Sequence, residues 1–280
     1  MYIWKRIIRN KFLLISLLVF LTFIVLGIFA PLIAPHPPLE TNVEMRYAGP
    51  SLSYPLGNDY LGRYMLSRLL YGIRPSFLTI LGTLAATAFI GCVLGIISAY
   101  VGGKADNVIM RICDIMLTLP GEAMTLAFVG LFGVGLRNIL LSYILLTWAS
   151  FARLIRTSIL KYRNSDYVRF SKTLGHSSMH IIFRHIVPSA LSEIILITMA
   201  LVCSMILMIS GVSYLGLGIQ PPAPEWGAML FEAKGVMFRY PAQMLIPGIA
   251  IVIISLDCLF ISDGLRDVLD PQHSKEDRGL

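Results

Sequence analysis

The sequence predicts an all-α, polytopic membrane protein with six transmembrane helices. Composition and the spacing of charge carry this reading. Of 280 residues, 56% are hydrophobic and 14% charged, against roughly 45–50% and about 25% in soluble domains. Segments 12–39, 75–103 and 194–224 contain no Asp, Glu, Lys or Arg, and each exceeds the ~20 residues that cross a bilayer as a helix. Three further candidates are shorter or interrupted: 115–136, broken by Glu122; 138–152; and 240–262, broken by Asp257. A soluble enzyme, a disulfide scaffold and a disordered tail are excluded. Cys92, Cys113, Cys203 and Cys258 fall inside or beside apolar runs, where a thiol acts as a small hydrophobe.

At the N-terminus, Lys5, Arg6, Arg9 and Lys11 precede the apolar stretch Phe12–Ala34. That stretch is longer than the core of about 7–15 residues in a secretory signal, so it reads as a retained anchor. Pro35, His36, Pro37 and Pro38 then form a stiff exit into an outer segment, 35–76, which ends in an amphipathic run, Leu61–Tyr71. In the third span, Pro120-Gly121 frees backbone carbonyls and can kink the helix. The acid that follows, Glu122, is costly at bilayer depth and therefore faces protein or water. Pro120, Gly121 and Glu122 are thus the candidate solute path, the alternative being a hydrogen-bonded Glu122 that ties two helices together. Arg111 and Asp114, one turn apart, are expected to pair.

The loop 153–188 carries helix punctuation. Asn164, Ser165 or Asp166 can cap a helix that Gly175 terminates. Tyr167, Phe170 and Leu174 share one face of it as an aromatic and aliphatic ridge. A second helical piece follows Ser177 and Ser178, with a break expected at Pro188. Taken alone, the ridge fits either an interfacial helix on the headgroups or a knob for a partner's groove. In segment 213–243, Gly216, Gly218, Pro221, Pro222 and Pro224 require a turn. His176 and His180 have the i,i+4 spacing of a metal-binding pair, but no third ligand is near in sequence, so an ordinary surface pair is favoured. Met199, Met205 and Met208 read as packing.

The formal charge of +7 is compatible with nucleic acid, membrane surface or loop topology, and position decides. With the N-terminus inside, segments 1–11, 102–111, 153–188 and 263–280 hold 16 Lys and Arg, and the outer segments hold the other 7. This follows the positive-inside rule and places both termini in the cytoplasm. The expected division is an anchor helix with outer loop (1–74), a core of five spans (75–263) and a cytoplasmic tail (264–280).

Several dispersed blocks resemble a known family. Gly175 with Pro188 is similar to the cytoplasmic loop signature of permease subunits of ATP-binding-cassette (ABC) importers, although Arg169, Phe170 and Ser171 stand where the family often has Glu-Ala-Ala. Four further stretches look like blocks of the dipeptide, oligopeptide and nickel importer branch. These are Tyr54–Arg63 followed by Leu66–Gly72, Tyr214–Gly218 followed by Gln220–Gly227, the tail Ser262–Pro271, and Arg111, Asp114 and Pro120 in the third span. One departure is Tyr64, where an acid commonly follows the Gly-Arg pair. The resemblance implies a bacterial inner-membrane permease with the type I ABC-importer transmembrane fold. Its cytoplasmic coupling helix, with Tyr167, Phe170, Leu174, Gly175 and Pro188, would dock on an ATPase. It also implies a second homologous permease, two ATPase subunits that bind ATP and Mg, and an extracytoplasmic substrate-binding protein.

No phosphate-binding loop is present, because Gly102-Gly103-Lys104-Ala105 lacks both the upstream glycine and the hydroxyl. The chain is therefore expected to be non-catalytic, with no cofactor or metal of its own and no nucleic-acid partner. The stretches Met205–Gly211, Glu225-Trp-Gly and Glu232-Ala233 resemble the nickel and metallophore branch more than the peptide branch, and the resemblance implies nickel or a metal chelate as solute, with di- or oligopeptides as the alternative. An ion-coupled secondary carrier acting through Glu122 and Asp257 is the competing class. An intramembrane enzyme fails, since Leu215 replaces the second glycine of a nucleophile elbow at Ser213 and no histidine lies in a span.

Overall fold

The computed structural model describes residues 7, 8, 10–163 and 165–269. The basic residues Lys5, Arg6 and Arg9, the cap candidate Asn164, and Asp270 and Pro271 of the tail block lie outside them. Among the described residues the chain is helical, with one isolated bridge, Asn58 to Tyr64, as its only β pairing. In chain order the principal helices are α1 Lys11–Ile28, α2 Met65–Val101, α3 Gly103–Thr118, α4 Gly121–Phe132, α5 Leu136–Arg163, α6 Asp166–Thr173, α7 Val187–Tyr214, α8 Trp226–Ala233 and α9 Ala242–Leu269. Five stretches are long and apolar enough to cross a membrane, and the bent pair α3 and α4 makes a sixth.

Two expectations are corrected here. The outer amphipathic run and the second span are not separate, because α2 runs unbroken for 37 residues with Pro75 inside it. Pro188 does not break the chain either. Residues Ser178–Tyr214 form one helical stretch, in which Ile182–Ile186 widens to π-helix immediately before α7. A proline lacks the N–H for the ordinary bond and its ring crowds the preceding turn; the wider register accommodates this without ending the helix. In segment 213–243 the glycines and prolines turn the chain as expected, and α8 follows them. The third span breaks at Pro120 as its sequence suggests, with the axes of α3 and α4 bent by 85°.

The described residues group into two compact units. Val202–Leu280, Leu126–Leu140 and Met1–Leu81 form one. Here α1 lies on α9: Phe12 meets Phe260 edge-on at 5.2 Å, and Gly264 lets Leu13 approach so closely that a Cβ would sit 2.8 Å from it. At the far end of α1, the Arg74 guanidinium donates to the carbonyls of Gly27 and Ile28 at 2.8 and 2.6 Å. It satisfies helix-end acceptors that have no partner within the helix.

The same unit holds a buried charge cluster between segment 35–76 and α8. Asp59 Oδ1 accepts from the backbone N–H groups of Leu61 and Arg63 at 2.8 and 2.9 Å. Its Oδ2 accepts from Arg63 Nε at 2.6 Å and from Arg68 Nη1. Glu232 Oε2, on α8, accepts from Arg63 Nη2 at 2.9 Å and Arg68 Nη1 at 2.6 Å. All four side chains are at most 5% exposed, and the two charges of each sign cancel. Burial works against the charged Arg63 guanidinium, but the carboxylates of Asp59 and Glu232 outweigh it and hold that group above its usual value. The turn leading into this cluster needs Gly62, whose φ is +74° and whose Cβ would fall 1.7 Å from the Asn42 carbonyl oxygen.

Helix α8 is seated by its own cap. Glu225 accepts from the N–H groups of Gly227 and Ala228 at 2.9 and 2.8 Å, and Trp226 Nε1 donates to the Leu69 carbonyl at 3.0 Å. Burial pushes the Glu225 carboxyl up in spite of the two N–H donors.

Two predictions follow from this unit. Glu232→Gln leaves two buried guanidinium groups sharing one carboxylate and is expected to cost about 3–5 kcal/mol, read as a fall of several degrees in the melting temperature of the detergent-solubilised protein. A carboxyl raised in the folded state contributes stability below its unfolded pKa and loses it as pH rises through the folded one. The wild-type melting temperature should therefore decline as pH climbs above the ordinary carboxylate range, and Glu225→Gln should flatten that slope.

Candidate functional site

Helix α6 and its support lie wholly in the second unit, Gly82–Thr125 with Leu141–Leu201. Eight residues are too few for a stable isolated helix, so α6 depends on what it stands on. Ser165 takes the N-cap position with extended φ and ψ, and Gly175 closes the other end at φ +80°, a left-handed terminator that favours glycine. Val168 and Ser171 point inward and are buried. Val168 joins a core made by Ala99 of α2, Phe151, Ile155 and Ile159 of α5, Ile181 and Ile186, and Ala190 of α7.

Polar ties complete the platform. The Tyr167 hydroxyl is 3.3 Å from Ser189 Oγ. Lys161 Nζ and the Tyr162 hydroxyl donate to Glu193 Oε1 at 2.8 and 3.2 Å. Arg163 donates to the Ala99 carbonyl at 2.5 Å, and the Lys172 ammonium sits 5.6 Å from the centre of the Tyr100 ring. Arg156 grips Asp106 of α3 in a two-point fork, both contacts at 2.6 Å. One face of α6 is thereby fixed to the ends of α2, α5 and α7. The opposite face shows Tyr167, Phe170 and Leu174, which are 44%, 65% and 59% exposed. A helix that hides Val168 and displays two aromatics and a leucine offers an apolar contact surface on a rigid mount.

Pro120, Gly121 and Glu122 are all exposed at the break between α3 and α4. Glu122 lies in the first turn of α4, where a negative charge meets the positive end of the helix dipole. Within this chain its side chain is exposed rather than buried between helices. The expected Arg111–Asp114 pair is also corrected, for Asp114 pairs instead with Arg153 of α5. Asp257 is buried against Ser16. His176 and His180 stack with ring centres 4.6 Å apart, and no group of three metal-ligating side chains gathers among the described residues. Sequence reading missed the Asp59–Arg63–Arg68–Glu232 cluster. The i,i+4 spacing of Asp59 and Arg63 was the only local signal for it, since Glu232 lies far along the chain.

Residues 91–275 match the family described as binding-protein-dependent transport system inner membrane component, and residues 1–50 match the N-terminal transmembrane domain of oligopeptide transport permease C. The chain belongs to this family of ABC-importer permeases. It is 46% identical over 278 residues to the metal-staphylopine import system permease protein CntC of Staphylococcus aureus, covering 99% of this chain and 96% of that one. It is 35% identical to the dipeptide transport system permease DppC of Alkalihalophilus pseudofirmus, covering 96% and 88%. The glutathione transport system permease GsiD of Pectobacterium atrosepticum is 34% identical, with 96% and 90% covered. Among solved structures, a chain of the MetNI methionine ABC transporter in inward-facing form superposes with a TM-score of 0.61 at 15% identity, covering 74% of this chain and 98% of that one. That likeness establishes the type I ABC-importer transmembrane fold. Permeases of this family work with ATPase subunits, a second permease and a substrate-binding protein.

The two faces of α6 should respond differently to substitution. Val168→Ala removes two buried methyl groups and should cost about 1.5–2 kcal/mol. Phe170→Ala touches only the exposed ridge and should stay within about 0.5 kcal/mol of wild type. Thermal unfolding of the two variants checks the contrast.

Proposed function

We propose that this permease forms half of the solute path of an importer for a metal chelate, with α6 as the element that its ATPases push. The observation that carries the solute is the end-to-end 46% identity with a permease of a metal-staphylopine import system. A bare cation would need a set of ligands, and none gathers among the described residues, which favours a chelate presented by the binding protein. The relatives named for dipeptide and glutathione transport support a peptide as the second reading.

The excess of Lys and Arg in segments 1–11, 102–111, 153–188 and 263–280 supports cytoplasmic termini and a cytoplasmic α6. Tyr167, Phe170 and Leu174 then enter a groove of the ATPase, with Gly175 ending the helix and Pro188 marking the start of α7. Closure of two ATPases on ATP and Mg displaces α6. Its tight seating on α2, α5 and α7 passes the movement into the spans, and their two packings alternate access. Pro120, Gly121 and Glu122 border the path, and the exposed Glu122 carboxylate faces passing solute. In this scheme the anchor and outer loop (1–74) and the tail (264–280) flank a working core (75–263), and the chain itself carries out no catalysis.

Reconstitution tests the scheme. The permease pair, ATPases and co-purified binding protein in liposomes should accumulate a nickel or zinc chelate only with ATP. Phe170→Ala with Leu174→Ala should lower both ATPase retention and uptake by more than about tenfold, with membrane insertion unchanged. Glu122→Gln should reduce uptake without releasing the ATPase. Full-rate uptake by the permease alone on an ion gradient would overturn the scheme in favour of a secondary carrier.

A further inference from the structure

The turn between α8 and α9 has no part in the transport scheme above. Phe238 at its tip is 93% exposed, more than any other aromatic ring among the described residues. Its base is held. The backbone N–H groups of Arg239 and Tyr240 both donate to the Val236 carbonyl, at 3.0 and 2.8 Å. The Tyr240 ring stacks flat on Tyr47 with centres 4.1 Å apart, and the Gln243 side chain donates to the Asn58 carbonyl at 2.7 Å. An aromatic ring held out on a fixed turn is apolar surface in want of a partner.

Its height in the membrane identifies the partner. The 27 residues Ala242–Val268 of α9 rise about 40 Å at ~1.5 Å each. The hydrocarbon core is about 30 Å thick and reaches about 40–45 Å with its headgroup layers. A helix of that length ends in the headgroups, so Ala242 lies among them, and the tight turn keeps Phe238 close to the same level. Tyrosines collect at this border, and here Tyr214 ends α7 and Tyr240 precedes α9. The charges agree. No Asp or Glu occurs from residue 233 to residue 256. Lys234 and Arg239 are exposed, and neither takes part in an ion pair among the described residues. Their cationic ends lie 5.3 Å from the centre of the Tyr214 ring and 5.6 Å from that of Tyr240. Two free cations on tyrosines beside an apolar tip match a phospholipid, whose phosphate sits at the border and whose acyl chains lie beneath it.

We propose that the turn Lys234–Tyr240 is a lipid anchor, with Phe238 among the upper acyl chains and Lys234 and Arg239 on the phosphates of anionic phospholipids. The anchor requires only that α9 spans the membrane, so it is independent of the solute and of the ATPases. It holds the start of α9, and through Tyr240 on Tyr47 the segment packed beside it, at a fixed depth.

The test replaces Phe238 with photoreactive p-benzoylphenylalanine in the complete complex. The complex sits in nanodiscs of equal phosphatidylglycerol and phosphatidylcholine, with binding protein added, and adducts are read by mass. Illumination should attach a phospholipid, with phosphatidylglycerol favoured by about fivefold or more, since each Lys or Arg near an anionic surface contributes about a fivefold gain. Adding Lys234→Gln and Arg239→Gln should bring the two lipids to near parity, and high salt should weaken the preference where both cations remain. All three side chains are exposed, so an unchanged melting temperature is expected. The same reagent at Leu245, which is 57% exposed and nearly one turn into α9, should capture both lipids about equally. Three results would overturn the anchor: capture of the binding protein or another subunit at position 238 in place of lipid, no adduct there while position 245 captures lipid, or a preference for phosphatidylglycerol that survives loss of both cations. Absence of lipid adducts at both positions would instead remove α9 from the bilayer, and the anchor with it.

Discussion

Lipid removes the usual reward for burying apolar side chains, because hydrocarbon tails solvate leucine as well as another helix does. Helices within a bilayer are held by contacts that lipid cannot provide, namely close backbone approach and polar pairs. This protein is built accordingly. Gly264 admits Leu13, and Gly27 admits Ile73 so closely that a Cβ at residue 27 would lie 2.6 Å from its side chain. Arg156 forks onto Asp106, Lys161 reaches Glu193, and Arg74 covers the end of α1. Outward faces such as Phe12, Ile15, Leu18 and Leu21 on α1 stay exposed, as a lipid-facing surface requires.

The same constraint explains the contrast between the two polar regions. The buried cluster encloses two charges of each sign, joining the segment at Asp59, the start of α2, and α8. Breaking any member exposes the rest to an environment that cannot screen them. Around α6 the charges are instead partly exposed and distributed along the rim of an apolar core. They orient helix ends without contributing much individually. Burying Val168 beneath while leaving Phe170 bare above makes α6 firm toward its own spans and open on its other face.

Much of this was legible in advance. Apolar run length located the spans, and Gly175, Ser165 and the Tyr167–Phe170–Leu174 spacing located α6 and its displayed face. The kink at Pro120 followed from the residue types. The failures share a cause. Pro188 was read as a break because local propensity disfavours helix there, but packing of Ile181, Ile186 and Ala190 into one core holds the chain helical across it. Asp114 was assigned the nearest cation in sequence, and the nearest in space is Arg153. Helix α8 was not anticipated, since its seating comes from Trp226 and Glu232 reaching Leu69, Arg63 and Arg68 far away in the chain.

Sequence alone determined that this chain lives in a membrane, how many times its apolar runs can cross, and which short helix is punctuated for display. Those properties depend on residue type and on spacing within a turn or a span, which act over a few neighbours. Only the tertiary structure decided which carboxylate meets which guanidinium, and that Glu122 is exposed at the head of α4. Such pairings join residues up to 169 positions apart, as Arg63 and Glu232 are. No local preference encodes them, because each is fixed by the packing of every helix between.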